Sequence, residues 1–197
     1  MPQIVKPETK TKILYAAEKL FNEKGYSKTK ITDIMDYCSL ATGTFYVYFK
    51  DKEMLLTEIY QPIVDSIDSI FVLSPLPNTI TRSEYFTIIK QEILRLSEFA
   101  LKFTSELGFL LLHAYDSKYA YFPDKLQHII YQELERFLTI GISHGFIRNA
   151  HIPVLSKVCC GIIMTMVNLL IVDSYKPLQG IIVQESIEII INGIKKI

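Results

Sequence analysis

The first quarter of the chain carries two stretches with the apolar spacing of short amphipathic helices. In the first stretch the apolar residues are Ile13, Leu14, Ala17, Leu20 and Phe21. Their steps of three and four residues predict a helix over residues 7–24, and Gly25 stands where a glycine commonly ends a helix. In the second stretch they are Ile31, Ile34, Met35 and Cys38. Thr29 is predicted to cap the start of this second helix.

A third, shorter helix is predicted after a break at residues 39–41. Leu40, Phe45 and Phe49 can face the interior, and Gly43 is predicted to let this helix approach its neighbour closely. The outward positions then hold hydroxyl, aromatic and apolar side chains, namely Thr42, Thr44, Tyr46, Val47 and Tyr48. Two helices joined by a tight turn, with the start of the second exposed, predict a helix-turn-helix.

The next helix is predicted to begin at Lys52, with Asp51 as its N-cap. Backbone N–H groups at a helix start attract phosphate, and the Lys52 ammonium would add a full positive charge. The Tyr46 hydroxyl is suited to a phosphate oxygen. An aromatic helix as short as the third one is also typical of core packing, and this segment by itself leaves that alternative open.

Beyond residue 56 the sequence predicts long apolar helices. They are expected over residues 82–103, 107–115, 124–144, 153–174 and 181–195, with a loop over residues 74–78 and a break over residues 177–180. The predicted fold is all-α. A three-helix helix-turn-helix domain is expected over residues 1–52, and a larger helical domain for effector binding and dimerisation over residues 53–197.

Residues 158–172 contain no charged side chain. This run is shorter than the ~20 residues that cross a bilayer, so no membrane span is predicted. A helix that is apolar on all faces needs burial on all faces. Together with the isoleucine-rich residues 183–194, it predicts a four-helix homodimer interface. The predicted interface residues are Ile162, Met166, Leu169, Leu170, Ile187, Ile190 and Ile191.

The middle helices are predicted to enclose a pocket for a small, largely apolar or aromatic effector, because ligand pockets are mostly apolar with a few polar groups. The predicted lining residues are Phe86, Phe99, Phe103, Phe109, Leu112, His113, Tyr115 and Phe137. His113 is the polar group in an otherwise apolar run. An aromatic stripe and a single histidine are also typical of ordinary core packing, and that alternative remains open.

Composition narrows the choice of function. The net charge is zero, but residues 1–55 carry nine lysines and seven acidic residues, the sign expected for a DNA-binding end. Three cysteines without ligand spacing favour a reducing compartment, and we expect a cytoplasmic protein. The four histidines lack the spacing of a metal pair, and no phosphate loop or nucleophile elbow occurs. No enzyme activity, cofactor or metal is therefore predicted.

Residues 9–56 resemble the N-terminal domain of the TetR family of bacterial and archaeal transcriptional regulators. The matching residues are Thr11, Ile13, Leu14, Ala16, Ala17, Leu20, Phe21, Lys24, Gly25, Tyr26, Thr29, Ile31, Asp33, Ile34, Leu40, Gly43, Thr44, Tyr46, Phe49, Lys52, Glu53 and Leu55. The resemblance implies an all-helical homodimer. It also implies DNA-contacting positions, which are Thr42, Thr44, Tyr46, Tyr48 and Lys52, with Thr29 and Thr32 near the DNA backbone. Gly43 and Val47 complete the predicted site.

The chain departs from the family pattern at three positions. Ser39 stands where the family usually has glycine, Met35 where it usually has alanine, and Thr42 where a basic residue is common. Ser39 is therefore predicted to adopt a strained, glycine-like backbone.

These observations predict a ligand-responsive DNA-binding regulator of transcription, with repression as the expected role. It is expected to bind a near-palindromic operator in double-stranded DNA as a dimer and to be released by its effector. The alternative is a helical adaptor that uses its N-terminal domain for protein contacts.

Overall fold

The computed structural model describes residues 6–70 and 79–196, without the side chains of residues 68–70 and 173. The predicted loop over residues 74–78 lies outside them. The described part confirms the all-α class. Its α-helices are α1 (Pro7–Lys24), α2 (Ile31–Tyr37), α3 (Thr42–Tyr48), α4 (Lys52–Ile70), α5 (Arg82–Lys102), α6 (Thr104–Gly108), α7 (Phe122–Ser143), α8 (Ile152–Ile171) and α9 (Gln179–Ile194).

Helix α1 begins and ends as its sequence predicts. Pro7 occupies the first turn, where its missing N–H breaks no hydrogen bond. Gly25 ends the helix with φ 82° and donates its N–H to Phe21 O at 2.9 Å. A positive φ at this position favours glycine, because other residues meet a steric clash there.

The three N-terminal helices close around a small apolar core. Its members are fully buried and come from each helix: Ile13, Phe21, Ile34, Met35 and Phe45. A core this small stabilises three short helices only weakly, so further packing is needed. Helix α4 supplies it, because Leu55, Leu56 and Tyr60 are fully buried.

The described residues form two compact units. The first comprises residues 6–67 with Ser105–Pro123, and the second comprises residues 68–70, 79–104 and 124–196. In the first unit the Tyr60 ring stacks on Phe109 with centroids 4.3 Å apart. The whole of α1 to α3 thus lies in a unit that also includes a later segment. The functional boundary predicted at residue 52 stays a prediction, because packing units do not define which residues bind DNA.

The predicted regular helix over residues 107–115 is wrong. Helix α6 passes into a π-helical turn, Phe109–His113, followed by a 3-10 turn, Ala114–Asp116. The π turn has a wider spacing than an α-helix. Phe109 and Ala114, five residues apart, are both buried. Burial of these two side chains explains why the backbone departs from regular α geometry here.

In the second unit α5 packs against the C-terminal half of α7. The Tyr85 hydroxyl donates to Phe137 O at 2.8 Å, although this carbonyl lies inside α7. Such an approach needs a residue without a side chain beside it. A Cβ at Gly141 would lie 2.3 Å from Tyr85 Oη and 2.7 Å from its Cζ. Gly141 is therefore the residue that permits this contact.

Among the described residues, α8 alone has the length and apolar composition that a membrane span requires. Central helices of folded domains meet the same requirement. One side of α8 is buried within its own unit through Cys159, Cys160, Ile163 and Met166. The helix accordingly packs as a core helix of the second unit.

Candidate nucleic-acid interface and ligand cavity

The turn between α2 and α3 has the geometry that the sequence predicts. Ser39 adopts φ 55°, a left-handed conformation that glycine tolerates better. The turn is held by two backbone hydrogen bonds, from Ser39 N to Asp36 O and from Leu40 N to Met35 O, each 2.9 Å long. These bonds fix the direction in which α3 leaves the turn.

Thr29 does not cap α2, contrary to prediction. Its side chain is fully buried, and its hydroxyl, which has one proton to donate, lies 2.8 Å from Gly25 O and 3.2 Å from Leu20 O. The start of α2 is instead stabilised by Asp33, whose carboxylate accepts the Lys30 N–H at 3.1 Å. Thr29 ties the α1–α2 loop to the end of α1 and leaves no side-chain atom for phosphate. Thr32, in contrast, is exposed.

Helix α3 presents its polar face to solvent. Thr42, Gly43 and Tyr46 are exposed to solvent, and the exposed fraction of Tyr46 is 61%. Three more predicted contact residues are half-buried: Thr44, Val47 and Tyr48. Phe45 and Phe49 are buried beneath them. The two sides of the helix are thus divided as predicted, while the DNA contacts themselves stay a prediction.

Gly43 is not required for packing between helices, contrary to prediction. In the part of the chain that the structure describes, a Cβ at this position would meet no atom within 4 Å. The glycine costs helix stability, since glycine in a helix is less favourable than alanine by about 1 kcal/mol. Its position on the exposed face leaves open space around the backbone between Thr42 and Thr44.

Lys52 is turned into the protein rather than freely exposed. Its ammonium donates to Tyr26 O at 2.7 Å and to Thr29 O at 2.9 Å, and lies 4.1 Å from the centre of the Tyr26 ring. Partial burial lowers the pKa of this lysine, and the nearby Asp116 opposes that shift. An ammonium has three N–H donors. Two are therefore used inside the protein, and one remains for a phosphate.

Further lysines outside the predicted contact set lie on the segments next to α2 and α3. Lys28, Lys30 and Lys50 are exposed on the chain segments that flank α2 and α3. Lys6 lies close to α3, because its backbone N–H donates to Tyr48 Oη at 3.0 Å. The positions of Lys28, Lys30 and Lys50 in the sequence, just before α2 and just after α3, are the signal that predicts positive charge near the helix-turn-helix.

The second unit contains an apolar cavity between α5, α7, α8 and α9. Its lining residues are Ile89, Glu92, Ile93, Arg95, Leu96, Ile130, Glu133, Leu134, Phe137, Leu138, Cys159, Ile163, Ile190 and Ile194. The cavity has a volume of about 70 Å³, which is enough for water-sized groups. Of the eight residues predicted to contact an effector, only Phe137 lines this cavity.

The other predicted pocket residues lie elsewhere. Phe109 is buried against Tyr60 in the first unit, where His113 is half-buried. Leu112 and Tyr115 are 48% and 69% exposed in that unit. In the second unit the remaining three lie outside the cavity: Phe86, Phe99 and Phe103. Regular helical spacing does not separate these positions, because Leu112 lies in a π turn and Tyr115 in a 3-10 turn, and both are exposed.

Charged groups stand at the edge of the cavity. Arg95 Nη2 lies 2.6 Å from Glu92 Oε2, and Arg136 Nε donates to Glu133 Oε2 at 2.9 Å. The Arg95 Nε atom is buried and has no hydrogen-bond partner among the residues that the structure describes. A buried donor without a partner is unfavourable, so this edge is suited to a polar acceptor on a bound molecule.

The predicted dimer residues divide into two groups. Met166, Leu170, Ile187 and Ile190 are buried in the core of their own unit. Only half-buried members of the set can reach a partner directly, namely Ile162, Leu169 and Ile191. The outer sides of α8 and α9 instead expose Val154, Val158, Ile181 and Ile189, each more than half exposed. We name these four residues the outer apolar patch.

Comparison with known proteins agrees with this architecture. Residues 13–59 match the family model for bacterial regulatory proteins of the tetR family. The chain is 29% identical over 153 residues to YuxN, an HTH-type transcriptional regulator of Bacillus subtilis. The aligned residues cover 68% of this chain and 52% of YuxN. The chain is also 37% identical over 57 residues to BepR, an HTH-type transcriptional repressor of Brucella suis. That alignment covers 29% of this chain and 25% of BepR.

The fold similarity extends over nearly the whole chain. The ketosteroid transcriptional regulator KstR2 of Mycobacterium tuberculosis superimposes with a TM-score of 0.70 at 16% identity, covering 99% of this chain and 98% of KstR2. The sequence matches span about half or less of the length of the curated relatives. The match at residues 13–59 identifies the first helices as a helix-turn-helix domain of the TetR family of transcriptional regulators, and the helical fold shared with KstR2 extends over nearly the whole chain.

Proposed function

We propose that this protein is a dimeric, cytoplasmic repressor that binds operator DNA through α3 and releases it when a small molecule enters the second unit. The exposed polar side of α3 above a buried Phe45–Phe49 side carries the DNA-binding part of the proposal. The similarity to BepR, a transcriptional repressor, supports repression as the direction of control.

We expect a dimer because a single short recognition helix would bind DNA only weakly. Two copies of a seven-residue helix, separated by about one DNA turn (~34 Å) or a multiple of it, would contact both halves of a near-palindrome. The outer apolar patch supports an α8–α9 interface, because apolar side chains on both helices otherwise face water. No enzymatic step is part of this proposal.

The cavity supports an apolar effector with a polar end group. Its walls are Ile, Leu and Phe side chains, and its polar edge is formed by Glu92 and Arg95. Ligand pockets commonly measure about 300–1,000 Å³, so binding would require α5 and α7 to separate. That movement would give the effector different affinities for the two states of the dimer, which is the requirement for release of DNA.

The DNA-binding part is tested with duplexes selected from a random library by the full-length chain. Tyr46→Ala is expected to weaken operator binding about tenfold, the value of a hydrogen bond to a charged phosphate. Tyr15→Ala is the matched control, because Tyr15 is 60% exposed on α1. Equal affinities of the two variants would contradict the assignment of α3. Failure to select any duplex would favour a protein-binding adaptor.

The effector part is tested by ligand screening followed by cavity filling. Leu134→Trp is expected to abolish the effect of a bound apolar ligand on operator affinity while DNA binding is retained. Gln132→Trp is the control, because Gln132 lies exposed on the same helix. A ligand that acts equally on both variants would place the effector site outside this cavity.

A further inference from the structure

We infer that the protein identifies its operator chiefly through thymine methyl groups, and that Thr42, Thr44 and Val47 are the residues that read them. The inference rests on the proposed function, since it assumes that α3 enters the major groove. It adds the chemical class of base that the site selects.

The first argument is the set of side chains that α3 lacks. Its sequence from Thr42 to Tyr48 is TGTFYVY, with no arginine, lysine, asparagine, glutamine or acidic residue. Guanine is commonly read by Arg or Lys, adenine by Asn or Gln, and cytosine by Glu or Asp. Helix α3 can therefore make none of the bidentate contacts that distinguish these three bases.

The second argument is the set of side chains that α3 exposes. Thr42 is exposed, and Thr44 and Val47 are half-exposed. Each ends in a methyl group, and apolar contact with the C5-methyl of thymine is the base contact that such side chains make best. Gly43 adds no side chain between the two threonines, and the space around it is open. Base edges can therefore approach the start of α3 without meeting a side chain at position 43.

The third argument is the location of the positive charge. Lys28, Lys30 and Lys50 are exposed, but all three lie outside α3. Lys52 is held by Tyr26 O and Thr29 O. Lysines beside a recognition helix contact phosphates, which raises affinity for every sequence and makes it salt-dependent. Charge therefore supplies affinity here, and the methyl groups supply the choice of base.

The inference is tested on an operator selected from random duplexes by the full-length chain. Each thymine is replaced in turn by deoxyuridine, which removes only the C5-methyl group. Loss of one buried methyl contact is expected to weaken binding about fourfold at one or more thymines in each half-site. Each guanine is replaced in turn by 7-deazaguanine, which removes the N7 acceptor. This change is expected to alter affinity less than about twofold.

Matched variants assign the effect to residues. Thr42→Ser and Thr44→Ser keep the hydroxyl and remove the methyl group, and Val47→Thr keeps the shape while replacing a methyl by a hydroxyl. At least one variant is expected to bind the thymine and deoxyuridine operators equally. An operator that loses affinity only at 7-deazaguanine positions would overturn the inference and leave the proposed function intact. Absence of any selected DNA would overturn both.

Discussion

At the residue scale, Ser39 carries backbone strain in the helix-turn-helix. Its φ of 55° lies in the left-handed region, which disfavours residues with a Cβ by about 1–2 kcal/mol. Glycine loses more entropy on folding, which offsets part of the gain. Ser39→Gly is therefore expected to raise the free energy of unfolding by about 0.5–1 kcal/mol.

Thermal unfolding at one fixed protein concentration measures this change. Ser39→Ala is the control, because alanine retains the Cβ and the same strain. The explanation would be wrong if the alanine and glycine variants unfolded at the same temperature.

Lys52 and Lys50 provide a second test at this scale. Lys52→Met keeps the length of the side chain but removes the donors to Tyr26 O and Thr29 O. We expect a loss of about 1–2 kcal/mol in the free energy of unfolding, because two partly buried acceptors lose their partner. Lys50→Met, at an exposed site, is expected to change stability by less than about 0.5 kcal/mol.

The two lysine variants are also expected to differ in DNA binding. Lys50→Met should reduce the slope of log affinity against log salt by about one counterion per subunit. Chemical denaturation and salt titrations of operator binding measure the two effects. If Lys52→Met left the stability unchanged and reduced the salt dependence of operator binding, Lys52 would act mainly in DNA binding.

At the element scale, the contact between α5 and α7 depends on one glycine. Gly141→Ala would place a Cβ 2.3 Å from Tyr85 Oη and disrupt the hydrogen bond to Phe137 O. We expect the free energy of unfolding to fall by about 2–4 kcal/mol, because the site becomes overpacked and the hydrogen bond is broken. The control is Gly193→Ala in α9, where a Cβ meets nothing within 4 Å. That variant should be neutral or more stable, and equal effects at both glycines would refute the explanation.

At the scale of the whole molecule, assembly is expected to depend on the outer apolar patch. Val158→Glu should give a folded monomer, because Val158 is 56% exposed on α8. Met166→Glu should unfold the chain instead, because Met166 is 1% exposed and a buried unpaired charge costs several kcal/mol.

Sedimentation measures the mass of these variants, and circular dichroism measures their folding. Gln132→Glu introduces the same charge at an exposed site on α7, and it should leave the dimer intact. A dimer that survives Val158→Glu would move the interface away from the outer apolar patch.

Local sequence patterns predicted the long helices and the kind of turn between α2 and α3, but not the π turn at Phe109–His113. The apolar period of α1, Gly25 at its end and Ser39 at the turn each depend on residues a few positions apart. The side of α3 that faces solvent followed from the same spacing, because burial of Phe45 and Phe49 turns Tyr46 outward.

Only the tertiary structure decided where long-range partners lie. Thr29 bonds to Leu20 O, Lys52 crosses to Tyr26 O, and the cavity is lined from four separate helices. The sequence showed that α8 is apolar, but packing decided that Met166 faces inward and Val158 outward. The spacing of apolar residues along a helix indicates how apolar each face of that helix is. It does not record which neighbour covers that face, because the partner comes from a distant part of the chain or from another copy of it.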